Sequence, residues 1–338
     1  MAQPYSLNQV LSKFCSEETR KTRREILLGF VADKVAERND SVTVRQFIED
    51  IWPRITASEC DIYFDQILRP IGCLSWVTRA DPRPVANGKG RAKRKKPRHG
   101  TSLLLVGFIF TTGSIGAMLK GVRSHLLSKT VPLCYGRQKA GRQWEARIRA
   151  TPGIRSVPTK PGAAGGSVGT VETHFLEENE TRFCRWAAMG DALIALNLSA
   201  AHQDLALASA MSTVTTASGM GQMRLYKNAA GAPRGLLSWA WLSDWTKDRL
   251  MADGQAPMHQ CEWSEGSTLC FRDIAASADS APQIAQDLAG GLFPQELSCL
   301  LWVRDRSSKD VVLLPIAESE RASLGDWVMS QFKPACSK

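Results

Sequence analysis

A chain of 338 residues that is 43% apolar and 22% charged has enough material for two cores of ordinary size, which excludes a disordered polymer. Its formal charge of +10 points to an acidic partner, whether nucleic acid, anionic lipid or an acidic carrier protein, without choosing among them. The nine cysteines form no CxxC pair and no zinc-spaced Cys/His cluster, so buried reduced thiols are expected and a structural metal is not. No bound cofactor is expected either. No run reaches the roughly 20 apolar residues of a membrane-spanning helix, and the first thirty residues are too charged for a signal-peptide core. The expectation is a cytoplasmic protein.

In chain order, two helix-like stretches come first, REILLGFVADKVAE (24–37) and VRQFIEDIWPRI (44–55). A β-hairpin follows, DIYFD (61–65) and then PIGCLSW (70–76). Residues 88–100, GKGRAKRKKPRHG, form a basic run that reads as a solvated loop, as a dock for an acidic carrier or substrate, or as a nucleic-acid contact. It lacks aromatic residues for base stacking, which makes nucleic acid the weakest of the three. Beyond it lie a strand, GTSLLLVGFIF (100–110), a helix-like segment (113–127) and a strand, LCYGRQ.

The Pro/Gly-rich composition around 152–171 reads as a linker, placed at 151–180. It separates a first module (1–150) from a second (181–338) that repeats the order of elements. Helix-like segments at 184–198 and 205–214 precede a hairpin, MRLYK (223–227) and PRGLLSW (233–239). GSTLCFRDIAA (266–276) is the next strand, with a helix-like stretch (280–293) and LLWVRD behind it. PIGCLSW and PRGLLSW share Pro, Gly, Leu, Ser and Trp at one spacing, 163 residues apart from Ser75 to Ser238, and the later strands keep nearly that offset. The expectation is an α/β (α+β) fold in which one module is duplicated in tandem. Each copy has a central, mostly antiparallel sheet flanked by helices.

Two residues of the second module are suited to chemistry. His202, in LSAAHQDL, falls between two helices, where a turn is expected to expose side chains. Asp273 falls on an apolar strand, where a carboxylate is costly to bury without a partner. Paired, they make a general base: the carboxylate fixes the ring tautomer and the other nitrogen takes a proton. A helix-end cap for the histidine and a backbone-bonded aspartate are the plainer alternatives. LALASAMSTVTTASGM (205–220), with Leu205 and Leu207, and WAWLSDW (239–245), with Trp239 and Trp241, suit either the wall of an apolar groove or ordinary core packing.

Three elements in order carry a resemblance: MGDALIALNLSAAHQDL (189–205), GQMRLYKNAAGAPRGLLSWAWLS (221–243) and EWSEGSTLCFRDIAA (262–276). From about Trp186 to Pro315 the chain resembles the bacterial lysine acyltransferases that activate RTX toxins. The resemblance implies a GNAT-like fold and transfer of a fatty acyl chain from acyl carrier protein to internal lysine ε-amines of a protein substrate such as an RTX protoxin. It places His202 and Asp273 at the catalytic positions, with Ser199 as a supporting residue. Departures are Ala200 for the family's proline, Arg272 before the aspartate, and SAD (277–279) for Pro-Phe-Gly. They motivate the alternative of an inactive acyltransferase-like binding or chaperone protein. The first module has Gly107 in place of Asp273 and a stretch near Asn39 in place of His202, so it reads as a degenerate copy. An internal pseudo-dimer, or a homodimer of the whole chain, would then stand for the family's dimer.

Overall fold

The computed structural model describes residues 5–37, 41–64, 70–80, 101–110, 133–139, 142–148, 171–253, 256, 258–277, 280–289, 292–293, 298–302 and 311–315. The helix expected at 113–127, the basic run and Asn39 lie outside them, as do residues 151–170. Residues 171–180, read from the sequence as the end of the linker, open a long helix instead. The chain divides into two compact units, residues 1–23 with 53–181 and residues 24–52 with 182–338.

The first unit holds a six-stranded sheet in the order of the chain: β1 (Tyr5–Ser6), β2 (Cys60–Phe64), β3 (Pro70–Ala80), β4 (Thr101–Phe110), β5 (Leu133–Lys139) and β6 (Arg142–Ile148). All neighbours are antiparallel except β4 and β5. Helix α1 (Leu7–Phe14) starts at Ser6, whose hydroxyl accepts from the Gln9 N–H while the Gln9 side chain accepts from the Ser6 N–H. That reciprocal cap satisfies two donors the first helical turn leaves open. A short α2 (Glu17–Lys21) follows.

In the second unit the strand order is β11 (Val311–Pro315), β10 (Ser298–Trp302), β9 (Thr268–Ala276), β8 (Pro233–Leu242) and β7 (Met223–Lys227). β7–β8–β9 is an antiparallel run, β9–β10 is parallel and β10–β11 antiparallel. The fold is mixed α/β, a sheet with flanking helices in each unit; the edge strands β6 and β11 were not anticipated from the sequence. On one face of this second sheet Leu237, Leu269 and Phe271 bury against α8 (Ala281–Ala289) through Ile284 and Leu288. On the other face Ala240, Leu242 and Cys270 pack with Ala217 of α6 (Leu207–Met220) and with Leu250 of α7 (Asp244–Ala252).

Residues 24–52, grouped with the first module in the sequence reading, cluster with this second unit. They bring α3 (Arg23–Ala36) and the start of α4 (Val44–Thr56). α3 crosses α5 (Val171–Leu198) at two glycines. A Cβ on Gly29 would stand 2.0 Å from the Trp186 carbonyl oxygen, and one on Gly190 would stand 2.2 Å from that of Glu25. Only glycine lets the two backbones come so close. Phe30 and Trp186 close the crossing edge to face, with ring centroids 5.0 Å apart. Beside it Lys227 Nζ lies 2.6 Å from the buried Asp191 carboxylate. Burial raises the Asp191 and Glu25 carboxyls from their ordinary values, although Lys227 opposes the rise in both.

Candidate active site

His202 sits in the turn between α5 and α6. The chain leaves α5 through Ser199, whose carbonyl accepts from the N–H groups of His202 at 2.9 Å and Gln203 at 3.0 Å. The His202 carbonyl in turn accepts from Leu205 N–H at 3.0 Å. These bonds fold residues 199–205 tightly and carry the imidazole inward. Where the sequence suggested an exposed side chain, His202 is buried, at 3% exposure. The physical reason is the backbone that closes over the turn. Val44 N–H donates to Leu205 O at 2.9 Å, Arg45 N–H to Gln203 O at 2.8 Å, and Leu207 N–H to Val42 O at 2.7 Å. An ion pair of 3.2 Å between Arg45 and Asp204 adds to this clamp.

Asp273 reaches the same place by a change of register. The β8–β9 ladder pairs Leu237 with Ile274 and Ser238 with Asp273, then passes directly to Trp239 with Phe271. Arg272 is the extra residue of a β-bulge, and the bulge reverses the side-chain alternation. Without it, Asp273 would share a face with Phe271 and Leu269 in the α8 core. With it, Asp273 lies with Ser238 on the opposite face, the one α6 covers. Trp239 N–H is anchored next to the bulge by Gln222 O at 3.1 Å, and Gln222 donates from Nε2 to Trp263 O and Ser264 Oγ.

Four side chains meet there in a line. Ser199 Oγ is 2.8 Å from His202 Nδ1; His202 Nε2 is 3.6 Å from Asp273 Oδ1; and Ser238 Oγ donates to Asp273 Oδ2 at 3.3 Å. All four are buried. The ring–carboxylate separation is longer than a hydrogen bond and within ion-pair range. Low exposure keeps that attraction from being screened by water. A carboxylate beside Nε2 favours the proton on that nitrogen and leaves Nδ1 to accept from Ser199. His202, Asp273 and Ser199, the three chemistry-bearing residues of the sequence reading, thus come together. Ser238 was not singled out, although its place in the repeated Ser-Trp motif was visible.

The groove candidates fall elsewhere. Trp239 and Trp241 project from the α8 face and stack edge to face on Phe293, at 5.2 and 6.2 Å between centroids. They stand across the sheet from the His202–Asp273 pair. Leu207 is fully buried and Leu205 partly so. Arg272 is also buried, and its guanidinium reaches the Cys270 thiol. Burial pushes that thiol up to about 11 against the opposing charge of Arg272. Among the described residues no group of three or more His, Cys, Asp or Glu could hold a metal ion, and no helix is long and apolar enough to cross a membrane.

In the first unit the corresponding ladder pairs Ser75 with Gly107 and then Trp76 with Leu105, a shift at the same point of the motif. No side chain stands at Gly107 to take the place of Asp273. A comparison of the chain with curated proteins finds no match. Residues 181–315, the stretch that carries Ser199, His202, Ser238 and Asp273, match the family model HlyC, the RTX toxin acyltransferase family.

Proposed function

We propose that the second unit is a protein-lysine fatty acyltransferase that takes its acyl chain from acyl carrier protein and acts on an RTX-type protoxin. The observation that carries this reading is the Ser199–His202–Asp273 line inside the family-matched stretch. A lysine ε-ammonium, with an ordinary pKa near 10.4, has to lose a proton before its nitrogen can attack a thioester carbonyl. His202 serves as the base: Asp273 holds the proton on Nε2, and Nδ1 accepts the amine's proton through the Ser199 hydroxyl. The nitrogen–carbon bond forms and the carbon–sulfur bond of the thioester breaks. Backbone N–H groups stabilise the tetrahedral oxyanion between those events. Of the two protons the ammonium nitrogen sheds on becoming an amide, one passes from His202 to the carrier thiolate and the other goes to solvent. No bound cofactor takes part.

The same reading makes the chain a tandem duplication of a GNAT-like module, with an inactive first copy standing in for a dimer partner. Two regularities support it. The hairpin registers shift at matched places, between Tyr63 and Phe64 and between Tyr226 and Lys227. The ladders skip one residue after Ser75 and after Ser238. A basic surface would draw in the acidic carrier.

The test is co-expression with acyl carrier protein and a candidate glycine-rich repeat toxin, read by mass spectrometry of the toxin's lysines. Wild-type protein adds a fatty acyl mass to lysine ε-amines, and His202→Ala does not. Acylation that persists in the variant removes His202 from the mechanism.

A further inference from the structure

Ser238 lies opposite Asp273 in the ladder, and the bulge at Arg272 puts both side chains on one face of the sheet. Its hydroxyl, in a residue 1% exposed, donates to Asp273 Oδ2 at 3.3 Å. The other carboxylate oxygen stands 3.6 Å from His202 Nε2. A charge-assisted N–H···O⁻ contact would otherwise settle at about 2.8 Å.

We propose that Ser238 is a positioning residue that restrains Asp273, so that the carboxylate orients the imidazole without closing onto it. A closed pair would favour the imidazolium, which cannot act as a base. Among the described residues, the titratable and charged groups near Asp273 include His202 from the α5–α6 turn, and Arg272 and the Cys270 thiol from its own strand. In the first unit the matching serine, Ser75, pairs in the ladder with Gly107, a residue that carries no carboxylate. The proposal rests on the reading of His202 as a base, but its readout does not depend on acyl transfer.

The experiment uses the full chain, labelled with ¹⁵N-histidine, with His202→Gln to assign the ring resonances. Wild type, Ser238→Ala and Ser238→Thr are compared. In Ser238→Ala the carboxylate closes on Nε2, so the Nε2–H proton moves downfield. Ser238→Thr, which keeps the hydroxyl and suits a strand, restores the wild-type resonance. An unchanged Nε2–H resonance in a folded Ser238→Ala overturns the proposal, as does a Thr variant that behaves like Ala. If wild-type protein transfers no acyl group, the enzymatic reading fails and the resonance alone decides the role of Ser238.

Discussion

Gly29 and Gly190 lie against each other's helices in a reciprocal way: each Cα faces the carbonyl four residues before the other glycine, Trp186 in one direction and Glu25 in the other. This contact joins a segment outside the family-matched stretch to the helix that ends at Leu198, just before Ser199. The position of the His202 turn therefore depends on residues that the family comparison does not cover.

Gly29→Val tests that dependence. Its Cβ would meet a backbone carbonyl that cannot rotate away, so α3 has to withdraw from α5. Overpacking of this kind costs about 1–3 kcal/mol, and a rigid backbone neighbour puts the change at the upper end. A fall in the urea midpoint is expected, together with weaker protection of the Leu205 and Leu207 amides in hydrogen exchange. A variant as stable as wild type would show that the crossing is looser than described.

Asp61 gives the first unit a pH dependence. Burial raises its carboxyl from 3.8 to about 6, against the opposing pull of Arg23 and the Ile62 N–H. A carboxyl raised in the folded state binds its proton more tightly there than in the unfolded chain. Its contribution is thus fully present below pH 3.8 and is lost as pH rises towards 6. Urea midpoints measured from pH 4 to pH 7 should fall through that window in wild type. In Asp61→Asn this component is absent, and an equal decline in both proteins would exclude Asp61 as its source.

Thiol reactivity should divide sharply. Cys184 and Cys261 are exposed, whereas Cys15, Cys60, Cys73 and Cys270 are buried, and the Cys270 thiol is pushed up to about 11 by burial. The thiolate is the reacting form, so burial and a raised pKa both slow labelling. With an aromatic disulfide reagent at pH 8, Cys184 and Cys261 are labelled in the native protein and the other four only after unfolding. Peptide mapping that finds Cys270 modified at the native rate would contradict its placement.

The sequence made some of this visible and concealed the rest for physical reasons. The hairpins were legible because Pro, Gly, Ser and Trp recur at fixed spacing and because turn chemistry is local. Asp273 stood out as a carboxylate on an apolar strand, and the resemblance to the acyltransferases paired it with His202. The device that joins them was hidden. A bulge is fixed by the partner strand, and strict alternation would have sent Asp273 towards Phe271 and away from His202. The attachment of residues 24–52 to the second unit was equally hidden, because amphipathic helices do not state which sheet they will cover. In sequence Trp239 and Trp241 suit a groove wall and core packing equally well, and alternation along β8 turns them to the face that α8 covers.

The relation between His202 and Asp273 is tested most directly by a single-turnover experiment with purified acyl carrier thioester and a lysine-bearing substrate, following carrier thiol release and amide formation together. Wild-type protein should produce both in equal amounts. Asp273→Asn should slow them by about 10²–10⁴-fold, the range general-base catalysis supplies, and His202→Ala by at least as much. Equal rates in wild type and in either variant would contradict the account.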